Sequence, residues 1–245
     1  VGLILLTSFV FFDCQPLPAA PDAGFTIPEN INEVTFKYET YKNLILLPVT
    51  INDSVKVNLV LDTGCRNLLL FGKRFEKLFN VEAGHKIQFS GLGEGLPLTG
   101  KLALCNKVSI HALLGEKIPV IIVPNKHLFS TRSEVHGVIG YDIFIKFEIE
   151  FNAKRQLITF RPASTAALSE GYTRIPVRIE DCKPLIQAKV FFSRPEETNC
   201  LLMLDTGSAL GLLLRTADAE RFDPDVPKQD LGKGLCGNVM GTVTW

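Results

Sequence analysis

The sequence lacks an excess of charge of either sign, because 26 Lys and Arg residues balance 26 Asp and Glu residues. Domains that bind nucleic acid usually present a basic surface, so the composition predicts no nucleic-acid partner. Four His and six Cys residues occur without CxxC or HExxH spacing. Zinc sites need such spacing, so we predict neither a metal nor a cofactor.

An apolar run long enough to cross a membrane is absent from the start of the chain. Residues 1–12 are almost wholly apolar, but a membrane-spanning helix needs about 20 such residues. The run is typical of a secretory signal, and Cys14 follows it where a bacterial lipoprotein is lipidated. We therefore expect residues 1–14 to be a signal or lipoprotein-like segment. The protein would then be extracytoplasmic, in the periplasm or cell envelope. A lipoprotein would be attached to the membrane through lipidated Cys14, whereas an ordinary secretory signal would leave it unattached.

Residues 15–30 are rich in Pro and are expected to form a flexible tether. The alternative for the apolar start of the chain is a buried N-terminal strand, which the Pro-rich stretch argues against.

A short apolar run that ends in Asp-Thr-Gly occurs twice, at residues 57–64 and 200–207. Each run predicts a buried strand that delivers a carboxylate at its end. A single Asp of this kind is ordinarily a turn residue or a helix cap. A buried carboxylate is costly unless something uses it, so two in matching settings favour a functional pair, Asp62 and Asp205.

The similarity between the two halves extends beyond these motifs. Apolar segments before Asp62 match those before Asp205 at an offset of 141, which rises to 143 through two extra residues in the loop 193–199. A glycine cluster follows each motif, at 91–95 and at 232–237. Repetition at this scale predicts an internal duplication in which each copy forms one lobe.

With these motifs the chain resembles the retropepsin-like and pepsin-like aspartic peptidases, in the tandem two-lobe form of bacterial aspartyl proteases. The first half also has the apolar-apolar-Gly element 138–140 and a terminal hairpin at 147–160. The resemblance implies an all-β fold of two duplicated β-barrel lobes with short helices. The lobes would be residues 31–160 and 172–245, with a linker at 161–171. The second lobe is expected to be incomplete, so that the chain is a piece of a longer protein and is not itself expected to turn over substrate.

The resemblance implies an aspartic endopeptidase that hydrolyses peptide bonds with a water molecule activated between Asp62 and Asp205. Two adjacent carboxylates cannot both ionise easily and share one proton. Thr63 and Thr206 would hydrogen-bond between the lobes, and Ser208 would hydrogen-bond its Asp. Cys65, a weaker donor, takes the corresponding place in the first lobe. The remaining implied site residues are Gly64 and Gly207 in the turns, and Gly91, Leu92, Gly93, Gly95, Gly232 and Gly234 in two substrate-binding flaps.

Other functions were weighed against this one. A non-catalytic peptide-binding protein that retains the fold is the alternative, although a binding module does not need two buried like charges. Residues 232–237 fit the GxGxxG pattern, but a dinucleotide site also needs a following helix, and a strand is predicted there instead. The expected partner is a peptide or protein substrate, and one chain with both half-sites predicts a monomer.

Local patterns predict smaller features. Residues 71–80 have apolar residues at helical spacing, Asn52-Asp53 marks a hairpin turn, and strands are expected near 101–123. The four His residues are expected at surface or loop positions. The Cys residues are expected to be mostly free, buried thiols.

Overall fold

The computed structural model describes residues 23–81, 86–89, 96–124, 134–163, 171–191, 197–213, 229–234 and 237–241. Four predicted features lie wholly or partly outside these ranges: the signal segment with Cys14, the tether up to residue 22, the first flap at 91–95, and most of the linker. Within the described residues, no helix has both the length and the apolar character needed to cross a membrane.

One nine-stranded sheet forms most of the first lobe. Its strands are β1 (Gly24–Thr26), β3 (Glu39–Tyr41), β4 (Leu44–Ile51), β5 (Val55–Leu61), β6 (Leu68–Phe71), β7 (Lys86–Phe89), β8 (Leu98–Ile110), β9 (Leu113–Val123) and β10 (Val135–Ile139). The neighbours β9-β6-β10-β5-β4-β8 close into a barrel, because β8 also pairs with β9. Apolar side chains of β5 and β6 fill the interior, and Leu59, Leu61, Leu68 and Leu70 are fully buried there.

A second sheet covers one side of this barrel. It consists of β2 (Val34–Lys37), β11 (Phe147–Asn152) and β12 (Leu157–Pro162), in the order β11-β12-β2. The helices are short: a 3-10 helix at Lys73–Lys77 and helix α1 at Tyr141–Phe144. The terminal hairpin and a short helix within residues 71–80 are therefore confirmed, as is the all-β class.

The prediction of a flexible tether over residues 15–30 is wrong for residues 24–26. Residues 24–26 form β1, which pairs with β9, and Phe25 is only 1 % exposed. Burying an aromatic side chain removes a large apolar area from water and outweighs the flexibility that the preceding Pro residues suggest. The first lobe thus begins before residue 31. It also ends later than residue 160, because β12 continues through Arg161 and Pro162 of the predicted linker.

The described residues of the predicted second lobe form two small sheets. One has the order β13 (Arg178–Glu180), β14 (Lys183–Phe191), β15 (Glu197–Met203), and the other pairs β16 (Gln229–Gly234) with β17 (Gly237–Gly241). Gly232 and Gly234 lie in β16, so this glycine cluster belongs to a hairpin and not to the strand and helix of a dinucleotide site.

The pairing register corrects the predicted offset between the two halves. Leu46 pairs with Val60 two residues before Asp62, and Leu185 pairs with Met203 two residues before Asp205. Leu185 is therefore equivalent to Leu46, an offset of 139, and the loop between β14 and β15 has four extra residues instead of two. The alignment by sequence similarity was shifted by two positions. A shift of two leaves each side chain on the same face of its strand.

The strands that lead to the two Asp residues differ in burial. Val60 and Leu61 are 1 % and 0 % exposed, whereas the equivalent Met203 and Leu204 are 39 % and 42 % exposed. Strand β10 pairs along the outer edge of β5, and no described strand pairs with that edge of β15. Duplication of the whole lobe stays a prediction beyond these strands.

Two residue classes also differ from expectation. His136 lies within β10, half-buried, and its Nδ1 accepts a hydrogen bond from the Asn58 N–H at 2.9 Å. It is therefore a sheet residue and not a loop residue. The four described Cys residues are free thiols as predicted, but none is fully buried, and Cys105 is exposed.

Candidate active site

Asp62 follows β5 at the point where the strand leaves the core. Its N–H donates to the Ile139 carbonyl of β10 at 2.9 Å, which extends the parallel β5–β10 pairing by one residue. The chain then turns tightly, with the Gly64 N–H donating to Asp62 Oδ1 at 2.7 Å and the Cys65 N–H donating to the Asp62 carbonyl at 3.2 Å. The carboxyl group is thus fixed by the backbone of its own turn.

Gly140 and helix α1 pack directly against this turn. A side chain at residue 140 would overlap the carbonyl oxygens of Asp62 and Cys65, so only glycine permits this approach. The next residue, Tyr141, donates its N–H to the Cys65 carbonyl at 2.9 Å. The predicted apolar-apolar-Gly element at 138–140 therefore packs against the Asp62 turn.

Asp205 has the same local arrangement in the second lobe. The Gly207 N–H donates to Asp205 Oδ1 at 2.9 Å, and the Ser208 N–H donates to the Asp205 carbonyl at 3.4 Å. Both predicted turns therefore hold their carboxyl groups with equivalent donors.

The two turns meet through a reciprocal set of hydrogen bonds between Thr63 and Thr206. Each N–H donates to the Oγ1 of the other residue, at 3.1 Å from Thr63 and 3.0 Å from Thr206. Each hydroxyl then donates to the strand of the opposite lobe, Thr63 to the Leu204 carbonyl at 2.6 Å and Thr206 to the Leu61 carbonyl at 2.8 Å. Every donor in the set has a partner, which fixes the relative position of the two Asp residues.

The carboxyl groups lie against each other and against the opposite glycine. A Cβ atom at Gly207 would overlap the carboxyl group of Asp62, and one at Gly64 would lie 3.4 Å from Asp205 Oδ1. A hydrogen bond to the side chain of Asp205 is among the causes that raise the pKa of Asp62. A hydrogen bond between two carboxyl groups requires a proton on one of them.

Burial raises the pKa of Asp62 from 3.8 to about 7, and the negative charge of Asp205 and the shared hydrogen bond act in the same direction. The Gly64 N–H lowers it, because a donor stabilises the ionised form. The pKa of about 7 means that Asp62 keeps its proton up to about neutral pH.

The residues after the two motifs differ from each other. Ser208 Oγ accepts the Leu210 N–H at 3.2 Å, and the described contacts show no bond from this hydroxyl to Asp205. Cys65 Sγ donates to the Asn67 carbonyl at 3.0 Å. Burial, with the charge of Asp62, raises the pKa of the Cys65 thiol to about 12. Neither side chain is thus placed to stabilise an ionised Asp.

The flaps are placed only in part. Strands β7 and β8 pair on either side of the first predicted flap, from Lys86 with Lys101 to Phe89 with Leu98.

In the described ranges, no three His, Cys, Asp or Glu side chains are grouped so that they could hold a metal ion.

Sequence reasoning missed three charged residues beside the turns. Arg66 Nη1 lies 3.6 Å from Asp181 Oδ1 in the second lobe, and Asp142 on α1 has a buried carboxyl oxygen. Its position two residues after Gly64 was the one sequence feature that could have placed Arg66 near the site. Nothing in the sequence pairs it with Asp181.

Comparison with known proteins finds a family match and similar solved structures. The sequence model of the family described as Aspartyl protease matches residues 47–143, from β4 to α1. A crystal structure of a retropepsin-like aspartic protease from Rickettsia conorii is similar at 13 % identity and a TM-score of 0.38, covering 58 % of this chain and 97 % of that chain. No curated protein matches. Residues 47–143 therefore match the aspartyl protease family, and the resemblance to the aspartic peptidases is confirmed over these residues.

Proposed function

We propose that the protein is an aspartic endopeptidase in which Asp62 and Asp205 together activate one water molecule. The observation that carries this proposal is the reciprocal hydrogen bonding of Thr63 and Thr206, which brings one carboxyl group from each half of the chain to the same point. The family match covers Asp62 alone, so the role of Asp205 rests on this contact.

The proposed chemistry needs one proton on the pair. The ionised carboxylate accepts a proton from the water molecule, whose oxygen attacks the carbonyl carbon of the peptide bond. The protonated carboxyl group donates a hydrogen bond to the carbonyl oxygen, and a proton from the pair then goes to the leaving nitrogen as the C–N bond breaks. No covalent bond to the enzyme forms.

The electrostatics support one ionised and one protonated carboxyl group in the pair. Burial and the neighbouring carboxylate raise the pKa of Asp62 to about 7, so the singly protonated pair persists from acidic to nearly neutral pH. We expect activity to fall above about pH 7, where the second carboxyl group ionises.

Cleavage of an unstructured protein such as casein by the full-length gene product, measured from pH 3 to 8, tests the proposal. Asp62→Asn and Asp205→Asn should each abolish cleavage, because Asn supplies neither a general base nor an acidic proton. Asp53→Asn, in an exposed turn of the same lobe, is the matched control and should cleave normally. Activity that survives both dyad substitutions would refute the assignment. Casein binding without cleavage in all four proteins would favour a peptide-binding protein.

A further inference from the structure

An ion pair between the lobes lies beside the proposed active site. The guanidinium group of Arg66 is 3.6 Å from Asp181 Oδ1, and both side chains are exposed, at 68 % and 76 %. Asp181 and Cys182 form the turn between β13 and β14, both with positive φ angles, 45° and 62°. This tight turn fixes the backbone position of Asp181 on the second lobe.

The charge of Arg66 also acts on a carboxyl group of its own lobe. Asp142, on α1, has a buried Oδ2 with no hydrogen-bond partner in the part of the chain that the structure describes. Burial raises the pKa of Asp142, and the charge of Arg66 opposes this rise. The guanidinium group therefore lies in the field of two carboxyl groups, one on α1 and one on the opposite lobe.

The backbone couples this position to the proposed active site. Cys65, adjacent to Arg66, accepts the Tyr141 N–H that fixes α1 under the turn. Thr63, three residues before Arg66, makes the hydrogen bonds to Thr206. The segment 63–66 is thus attached to the second lobe at both ends, through Thr63 and through Arg66.

We propose that Arg66 is a positioning residue that aligns the two Asp turns through its ion pair with Asp181. The inference rests on the proposed two-carboxylate function. Arg66 touches neither carboxyl group of the dyad and acts through the orientation of the segment 63–66. Reaction rates depend steeply on the alignment of catalytic groups.

Three variants of the full protein test the proposal: Arg66→Gln, Asp181→Asn and the double variant. An exposed ion pair contributes modestly, so each single variant should lower kcat by about fivefold at most, with little change in KM. The double variant should be no slower than either single one, because both changes remove the same contact. Arg178→Gln removes an ion pair with Glu180 that is similarly exposed but lies within one lobe. It is the matched control and should keep the kcat of the parent protein.

Hydrogen exchange at the Thr63 and Thr206 amides gives a readout that does not depend on activity. Both amides donate between the lobes, so their exchange should quicken in Arg66→Gln and Asp181→Asn, while amides of the β11–β12 hairpin should not change. Unchanged kcat and unchanged exchange in these variants would overturn the inference. Additive losses in the double variant would also overturn it, since Arg66 would then act through another contact. If Asp62→Asn and Asp205→Asn still cleave casein, the proposed function fails instead, and the exchange data alone decide the role of Arg66.

Discussion

Replacing Asp62 with Asn should stabilise the protein at neutral pH while it abolishes catalysis. The Asn side chain has nearly the same shape, its Oδ1 can accept the Gly64 N–H as Asp62 Oδ1 does at 2.7 Å, and its amide can donate to Asp205. The variant therefore imitates the singly protonated pair without the cost of ionising a second buried carboxyl group.

The magnitude follows from the pKa of Asp62, which burial and Asp205 raise from 3.8 to about 7. A raised carboxyl pKa stabilises the folded state fully below pH 3.8, and this contribution is lost as the pH rises to about 7. Three pKa units correspond to about 4 kcal/mol, which is an upper limit because the pair titrates together. The free energy of unfolding of Asp62→Asn should therefore gain up to about 4 kcal/mol on that of the parent protein between pH 4 and 8.

Urea unfolding at fixed temperature from pH 4 to 8 measures this difference. Asp205→Asn should change the pH dependence in the same direction, because removing either charge removes the repulsion. Asp53→Asn, in the exposed turn between β4 and β5, should follow the parent curve. Parallel curves for Asp62→Asn and the parent protein would show that the pKa of Asp62 is not raised in the folded state.

Two further predictions concern the turn residues. Gly207→Ala places a Cβ on the Asp62 carboxyl group and should lower kcat by about 100-fold. Gly64→Ala should lower kcat less, because its Cβ would lie 3.1 Å from Asp62 Oδ1. Equal losses of casein cleavage in the two variants would contradict this packing argument. Burial raises the pKa of Cys65 to about 12, so iodoacetamide at pH 8 should alkylate exposed Cys105 and spare Cys65. Mass spectrometry of the digested protein checks this, and rapid labelling of Cys65 would contradict it.

The parts of the fold that the sequence predicted are those set by local patterns. The strand before Asp62 was recognisable because its Val and Leu residues are buried on both faces, and the β4–β5 turn because Asn52 and Asp53 tolerate positive φ angles, here 49° and 59°. Strand β1 was missed because its burial depends on a distant partner, β9, which no local pattern around Phe25 reveals. The offset of 139 was missed for a similar reason, since only cross-strand pairing distinguishes it from 141.

The candidate site shows the same division between local and distant contacts. Asp62 and Gly64 belong to one turn, so their contact at 2.7 Å follows from the motif itself. The ion pair of Arg66 with Asp181 joins residues 115 positions apart, and their spacing carries no periodicity. The pKa of Asp62 is likewise a property of the assembled pair, because burial and Asp205 set it. A sequence can thus identify the candidate catalytic residues, whereas their proton affinity depends on how closely the two Asp turns pack.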